Sequence, residues 1–270
     1  MKKIFSLMLI LILPTLFFAG CKKDKGDPPT LPPAESMTID FTNFASAKKS
    51  LDATGGEKGT ANSNWEYAAT VAGVWKLIIN TTLAIPVTAF KAALDQNPSY
   101  VTTKTWQWSY SVTYLSTTYK ARLTGLIRST DVQWKMYISK DGTDSFTDFL
   151  WFEGTSKLDG TGGQWILYQS VLVPDALIQI DWTKTSTGVG FVKYSYVKND
   201  SFKNSSIEYG LTTNDLNAYY TIHYYNGVKF SDVSVEWNTT THNGHVKSVD
   251  YLGDVNWYCW DANKINTVCQ

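Results

Sequence analysis

"WQWSYSVTY", residues 106–114, decides the fold. Trp106, Trp108, Tyr110, Val112 and Tyr114 alternate with Gln107, Ser109, Ser111 and Thr113. A period of two puts the aromatic set on one side of a strand and the polar set on the other. The punctuation that follows is regular: Asp141-Gly142, Asp159-Gly160, Thr187-Gly188, Asn226-Gly227 and Asn243-Gly244, each between runs rich in Val, Ile, Thr, Tyr and Trp. Turn dipeptides between such runs predict hairpins. Everything after Ser99 therefore reads as an antiparallel meander of ten to a dozen strands. The two Asn-Gly pairs read as type I′ turns, because both central positions of that turn need positive φ. The strand between them then has a neighbour on each side, and Tyr220, Ile222, Tyr224, Val233, Val235, Trp237 and Leu252 share one face.

Upstream the texture is helical. Asn62, Ser63 and Asn64 are capping residues, and Trp65, Ala68, Ala69, Ala72, Trp75 and Ile79 recur at helical spacing. A second stripe, Val71, Val74, Leu77 and Ile78, predicts burial on more than one side. Pro86 interrupts the pattern, and Val87, Phe90, Ala93 and Leu94 mark a shorter helix that stops at Asn97-Pro98. Residues 37–41 alternate and read as a short strand; "LDATGGEKGTANSN" (51–64) reads as loop. The expected fold is mainly β: a half-barrel or barrel-like antiparallel sheet with an apolar helical pair, near 63–95, packed on it.

The N-terminus speaks to location. Met1-Lys2-Lys3, an apolar run from Ile4 to Phe18 and the small pair Ala19-Gly20 form a secretory leader, too short to be a comfortable bilayer span. Phe18-Ala19-Gly20-Cys21 resembles the lipobox of bacterial lipoproteins. That resemblance implies removal of residues 1–20 and acylation of Cys21, with chains such as palmitate. Cys21-Lys22-Lys23-Asp24-Lys25 and "LPPAESMTIDF" (31–41) resemble the start of Bacteroidota-type lipoproteins, which implies an outer-membrane anchor on the periplasmic or the cell-surface side. Lys22 to Pro33 is charged, then rich in Pro and Gly, with little to bury, so residues 21–35 are expected to be a disordered tether and 36–270 a single β-rich domain.

Composition excludes some partners. Without the leader's two lysines the balance is 22 basic against 24 acidic side chains. With no basic run, no nucleic-acid partner is expected. The aromatic share is 14%, with 11 Trp and 16 Tyr, which supplies amphipathic contact area for a core or a groove. Once Cys21 is set aside two thiols remain; Cys259 and Cys269 flank a hairpin-like "WDANKINTV" and are expected to form a disulfide in an oxidising compartment.

Chemical motifs are sparse. His242 and His245 flank Asn243-Gly244 as an opposed pair, with His223 on a neighbouring strand, but a metal needs a third or fourth ligand and none adjoins them. No Gly-x-Ser-x-Gly elbow, phosphate loop or zinc-protease helix occurs. Neither a metal nor a cofactor is expected. Glu153, Asp181, Glu208 and Glu236 each adjoin an aromatic, the ingredients of glycoside hydrolysis, yet an alternating strand produces such neighbours automatically.

What remains is a curved aromatic sheet closed on one side by apolar helices, which makes a natural apolar cavity. In its order of elements, helices then meander, the chain resembles LolA-like half-barrels, and that resemblance implies a cavity for acyl chains. The expected function is non-catalytic binding of an apolar or amphiphilic ligand in the sheet concavity, with Trp106, Trp108, Tyr110, Trp75, Tyr224 and Trp237 as ligand contacts. A glycan-binding or glycan-cleaving surface protein and a structural or adhesive module are the alternatives.

Overall fold

The alternation at 106–114 belongs to the second of fourteen strands in a computed structural model that describes residues 25–45, 62–185 and 188–269. The leader, Cys21, the tether up to residue 24, most of the 51–64 loop and Thr187 lie outside the described residues. Two helices come first, α1 (Ser63–Thr82) and α2 (Ala84–Ala93). The strands are β1 (Ser99–Thr102), β2 (Thr105–Tyr114), β3 (Thr117–Ile127), β4 (Asp131–Lys140), β5 (Phe146–Lys157), β6 (Gly162–Tyr168) and β7 (Ala176–Thr185). They continue as β8 (Gly188–Tyr196), β9 (Ser206–Leu211), β10 (Ala218–Tyr225), β11 (Phe230–Trp237) and β12 (Gly244–Lys247). A one-turn helix α3 (Val249–Leu252) precedes β13 (Tyr258–Trp260) and β14 (Asn266–Thr267). Each strand pairs antiparallel with its neighbours in sequence, so β1 and β14 are the edges of one unclosed meander.

The strand count exceeds the expected ten to a dozen because β1, β13 and β14 are only four, three and two residues long. Runs that short carry no alternation to read.

One face of the sheet is mainly apolar, and its register shows how the large rings fit. Trp106 pairs with Gly125, Gly125 with Trp134, Trp134 with Gly154, and Gly154 with Trp165. A Cβ on Gly125 would stand 2.6 Å from Trp134 Cζ3, and one on Gly154 2.6 Å from Trp165 Cε3. Gly244 seats Trp260 in the same way. Each indole lies across a strand neighbour that has no side chain, so large and small alternate along the row as a curved sheet requires.

The sheet curls around three things. α2 packs on β2 and β3, a 3-10 turn at Ala34–Met37 packs on β7 and β8, and α1 packs on β12, β13 and β14. Phe90 of α2 meets Phe152 and Trp165 edge-on at 6.0 and 5.4 Å. Residues 37–41 form no strand: Met37, Ile39 and Phe41 are buried inside the sheet, and the backbone runs from the 3-10 turn into extended conformation at Thr38. Their alternation is real, but it records burial rather than pairing. Lys25 to Thr30 are exposed apart from half-buried Pro29, and close packing begins at Leu31-Pro32. Among the described residues the buried set runs from Pro32 to Trp260, so residues 22–270 hold the whole described core.

Several local readings change. The Asn226-Gly227 turn has four residues, closed by Asn226 N–H to Lys229 O at 3.0 Å. Asn226 Oδ1 accepts the N–H groups of Val228 and Lys229, and only Gly227 has positive φ, so a side-chain cap replaces the type I′ turn. Asn243-Gly244 is not a turn centre either. The loop runs from Asn238, whose Oδ1 accepts the N–H of Thr240 and Thr241, and Gly244 opens β12 as the seat of Trp260. Strand β11 does pair on both sides, with β10 and β12, and Tyr220, Ile222, Val233, Val235 and Trp237 are buried on one face. Leu252 lies in α3 instead of a strand. Helix α1 is buried around most of its first three turns, but beyond Trp75 the second stripe is uncovered and Leu77 is exposed. The helices break at Leu83 with a 71° bend, and Pro86 sits in the first turn of α2, where no intrahelical N–H is needed. No single described helix is long and apolar enough to cross a membrane.

Candidate functional site

One stripe of α1, buried at Val71 and Trp75 and half-buried at Val74 and Ile78, forms one wall of a cavity of about 830 Å³. Val71, Val74, Trp75 and Ile78 face Tyr196 at the end of β8, Phe202 in the β8–β9 loop, Tyr224 and Tyr225 of β10, and Val228 in the next turn. Asp250 and Tyr251 of α3 complete the wall. This volume falls in the roughly 300–1,000 Å³ range of small-molecule sites.

The polar groups of the lining are already engaged. Ser205 Oγ accepts the Tyr225 N–H at 3.2 Å, and Asn226 Nδ2 donates to Ser231 Oγ at 3.1 Å. Tyr225 donates to Gly227 O at 3.0 Å, and Tyr196 to Asp200 Oδ2 at 2.8 Å. Burial and the Asp200 charge push the Tyr196 hydroxyl up to about 12. Asp250 is ion-paired to Lys229, and bonds from Lys229 and Ser231 hold its carboxyl below the usual range. The back wall is stiff: Tyr67 stacks on Tyr251 at 3.8 Å and 8° and donates to Ser248 Oγ at 2.9 Å. Burial raises the pKa of both Tyr67 and Tyr224.

Of the six expected ligand contacts, the structure brings Trp75 and Tyr224 together in this cavity. Trp108 is buried against Trp134 at 5.7 Å. Trp237 is buried among Phe44 (5.1 Å), Tyr220 (4.5 Å) and Tyr209 (6.2 Å). Tyr110 donates to Ala89 O at 2.6 Å, where burial raises its pKa. Trp106 is half-buried, edge-on to Tyr100 at 5.5 Å. These four serve the core because residues 31–44 and the helices fill the concavity that the sequence suggested for a ligand. Val71, Val74 and Ile78 were visible as a second helical stripe needing cover. Phe202 and Val228 lie in loops, where no periodicity marks them.

The remaining candidates disperse. Glu153, Asp181, Glu208 and Glu236 lie on the outer face of β5, β7, β9 and β11, and none lines the cavity. Each is tied to a neighbour: Tyr168 to Glu153 at 2.8 Å, Gln164 and Gln179 to Asp181 at 2.8 Å, Tyr219 to Glu208 at 2.8 Å and His245 to Glu236 at 3.1 Å. His242 and His245 are not opposed. His242 turns inward to Asn43 at 2.8 Å, whereas His245 stacks on Trp257 at 3.7 Å. His223 pairs with Asp232. Among the described residues no three His, Cys, Asp or Glu side chains gather to hold a metal. Cys259 and Cys269 are at bonding distance, with Cα atoms 5.3 Å apart.

No protein-family model, no curated protein sequence and no solved structure matches this chain.

Proposed function

We propose that this chain is a lipid-anchored outer-membrane protein, attached through an acylated Cys21, which binds the apolar part of an amphiphilic molecule without transforming it. The cavity beside α1 is the observation that carries this reading. Its walls are apolar and aromatic, and the polar groups at its margin already bond one another. A sugar would need free donors and acceptors there, and displacing internal bonds without replacing them is costly. An acyl chain or another apolar body needs only the wall. The site is therefore the pocket at one end of the sheet, in place of the filled concavity.

The test uses residues 22–270 made in an oxidising compartment. Native mass spectrometry followed by denaturing extraction is expected to show a lipid-like adduct that denaturation releases. A fluorescent fatty acid should bind in micromolar amounts or better, and Val74→Trp, which fills the cavity, should abolish binding while the circular dichroism is kept. An apo mass together with fatty-acid binding that Val74→Trp leaves unchanged would sink the reading. The anchor is tested separately, by the mass of the N-terminal peptide from cells: a free Cys21 thiol would remove it.

A further inference from the structure

In a meander, alternate connections share one rim of the sheet. The β2–β3, β4–β5, β6–β7, β8–β9, β10–β11 and β12–β13 connections therefore lie on one side, together with the cavity, whose lining includes Phe202, Val228 and Tyr251. The most exposed large apolar side chains gather there. Leu115 is 81%, Leu172 93%, Val228 86% and Val255 73% exposed, each on a different connection. On the opposite rim, among the described residues, Val101, Leu158, Leu211 and Ile265 do not exceed 53%. Val268, past β14, is the one other side chain of this kind above 70% among the described residues.

Leu115 is also placed at a local cost. It and Ser116 are the two central residues of the β2–β3 turn, with φ of 44° and 65°. Such a turn favours Asn or Gly. A leucine there loses backbone energy and gains no burial in return, which directs attention to a contact outside the fold.

We infer that this rim docks on a lipid surface and presents the cavity mouth to it; the inference builds on the cavity as an amphiphile site. The apolar residues stand singly on separate connections. A fluid apolar phase accepts separated tips, whereas a protein partner needs a contiguous complementary patch. The greasy rim is continuous with the apolar cavity, so a chain leaving a bilayer for the cavity would stay out of water. Charge is balanced instead of basic: Asp141, Asp175 and Asp250 near this rim are paired with Lys120, Lys198 and Lys229, and Lys140, Lys203 and Lys247 are spread over three connections that also carry Asp144, Asp200 and Asp254. Lys25 lies 5.5 Å from the Tyr100 ring and Pro29 adjoins Gly125, so the described chain starts near the opposite rim. The docking rim is thus remote from an acylated Cys21, so the bilayer it meets is a second surface and not the one that holds the anchor, and it can be tested without the anchor.

The experiment is flotation of residues 22–270, which lack the leader and the acylated cysteine, with phosphatidylcholine vesicles. The unsubstituted chain should float. The triple variant Leu115→Asp, Leu172→Asp, Val255→Asp should lose about tenfold or more in partitioning, and Val101→Asp with Leu211→Asp on the opposite rim should change little. None of the three docking residues lines the cavity, so the triple variant should keep its binding of a soluble fluorescent fatty acid. Val74→Trp should show the reverse, floating without binding, so failure of docking and failure of the cavity reading are distinguishable. An unsubstituted chain that stays at the bottom overturns the inference, as does equal flotation of the rim variant. So does a concentration-dependent dimer in sedimentation that the rim variant dissolves while vesicles go unbound; that result would make the rim an interface between copies.

Discussion

Asn266, in the last strand, caps the first helix: its side-chain oxygen accepts the backbone N–H of Asn64 at 3.1 Å, and its amide donates to Ser63 Oγ at 3.0 Å. The local N-cap, Asn62, makes no side-chain cap bond, and the Asn64 N–H of the first turn of α1 is satisfied from 202 residues away. Asn64 Nδ2 returns a bond to Cys259 O at 2.9 Å.

Asn266→Ala should therefore destabilise the protein by about 1 kcal/mol, the usual scale for a lost cap. The terminal hairpin is held by Cys259 and Cys269, ten residues apart. Reduction should remove about 2–3 kcal/mol by loop closure. Because the cap depends on the staple, urea denaturation of the reduced protein should show little further effect of Asn266→Ala. Full additivity would mean that the hairpin holds its place without the bond.

Gly154→Ala should cost about 1–3 kcal/mol, because the new methyl would meet the Gln164 carbonyl and the Trp165 ring in a row with no slack. Gly73 is the contrast. It lies inside α1 with open space at its Cβ position, so Gly73→Ala should stabilise by about 0.5–1 kcal/mol. Thermal melts of the two variants should move in opposite directions.

Burial beside Trp257 lowers the pKa of His245, against the smaller upward pull of Glu236, with Lys247 adding to the lowering. A base depressed in the folded state protonates more readily when unfolded. Its contribution to stability is complete above about pH 6.5 and declines as pH falls from there through its folded value. An NMR titration of the imidazole should give a midpoint below 6.5, and His245→Asn should flatten the stability profile on the acid side. A midpoint above 6.5 would mean that the Glu236 bond outweighs burial.

The fold was legible where alternation runs long. Strands such as β2 and β4, ten residues each, write their inward face directly into the sequence. Turn chemistry was less faithful. The Asn-Gly pairs chosen as two-residue turns are spent on a side-chain-capped loop and on a seat for Trp260, while a two-residue turn of that backbone class falls on Leu115-Ser116. Asn tolerates positive φ, but it also caps, and only the surrounding register decides which use prevails. The site was legible only as a surplus. The stripe of Val71, Val74 and Ile78 showed that α1 had more apolar surface than one sheet covers. That the remainder would face loops, leaving a gap, depends on residues more than a hundred positions downstream, from Tyr196 onward, beyond any local pattern. Aromatic content misled for the same reason: Trp108 and Trp237 have the right chemistry for a groove and are consumed by the core.

The inward segment at residues 31–44 has a consequence for how the chain is made. Ser36 Oγ receives the Trp165 N–H from 129 residues downstream, Asp40 O receives the Tyr220 hydroxyl, and Asn43 meets His242 across 199 positions. This segment precedes the strands in synthesis and in any directional export, yet nearly all of its seat is built later. The apolar side chains of this segment, Met37, Ile39, Phe41 and Phe44, have their seat completed only when β6 to β12 arrive, which makes closure slow. Synthesis order and packing order run in opposite directions along this polypeptide.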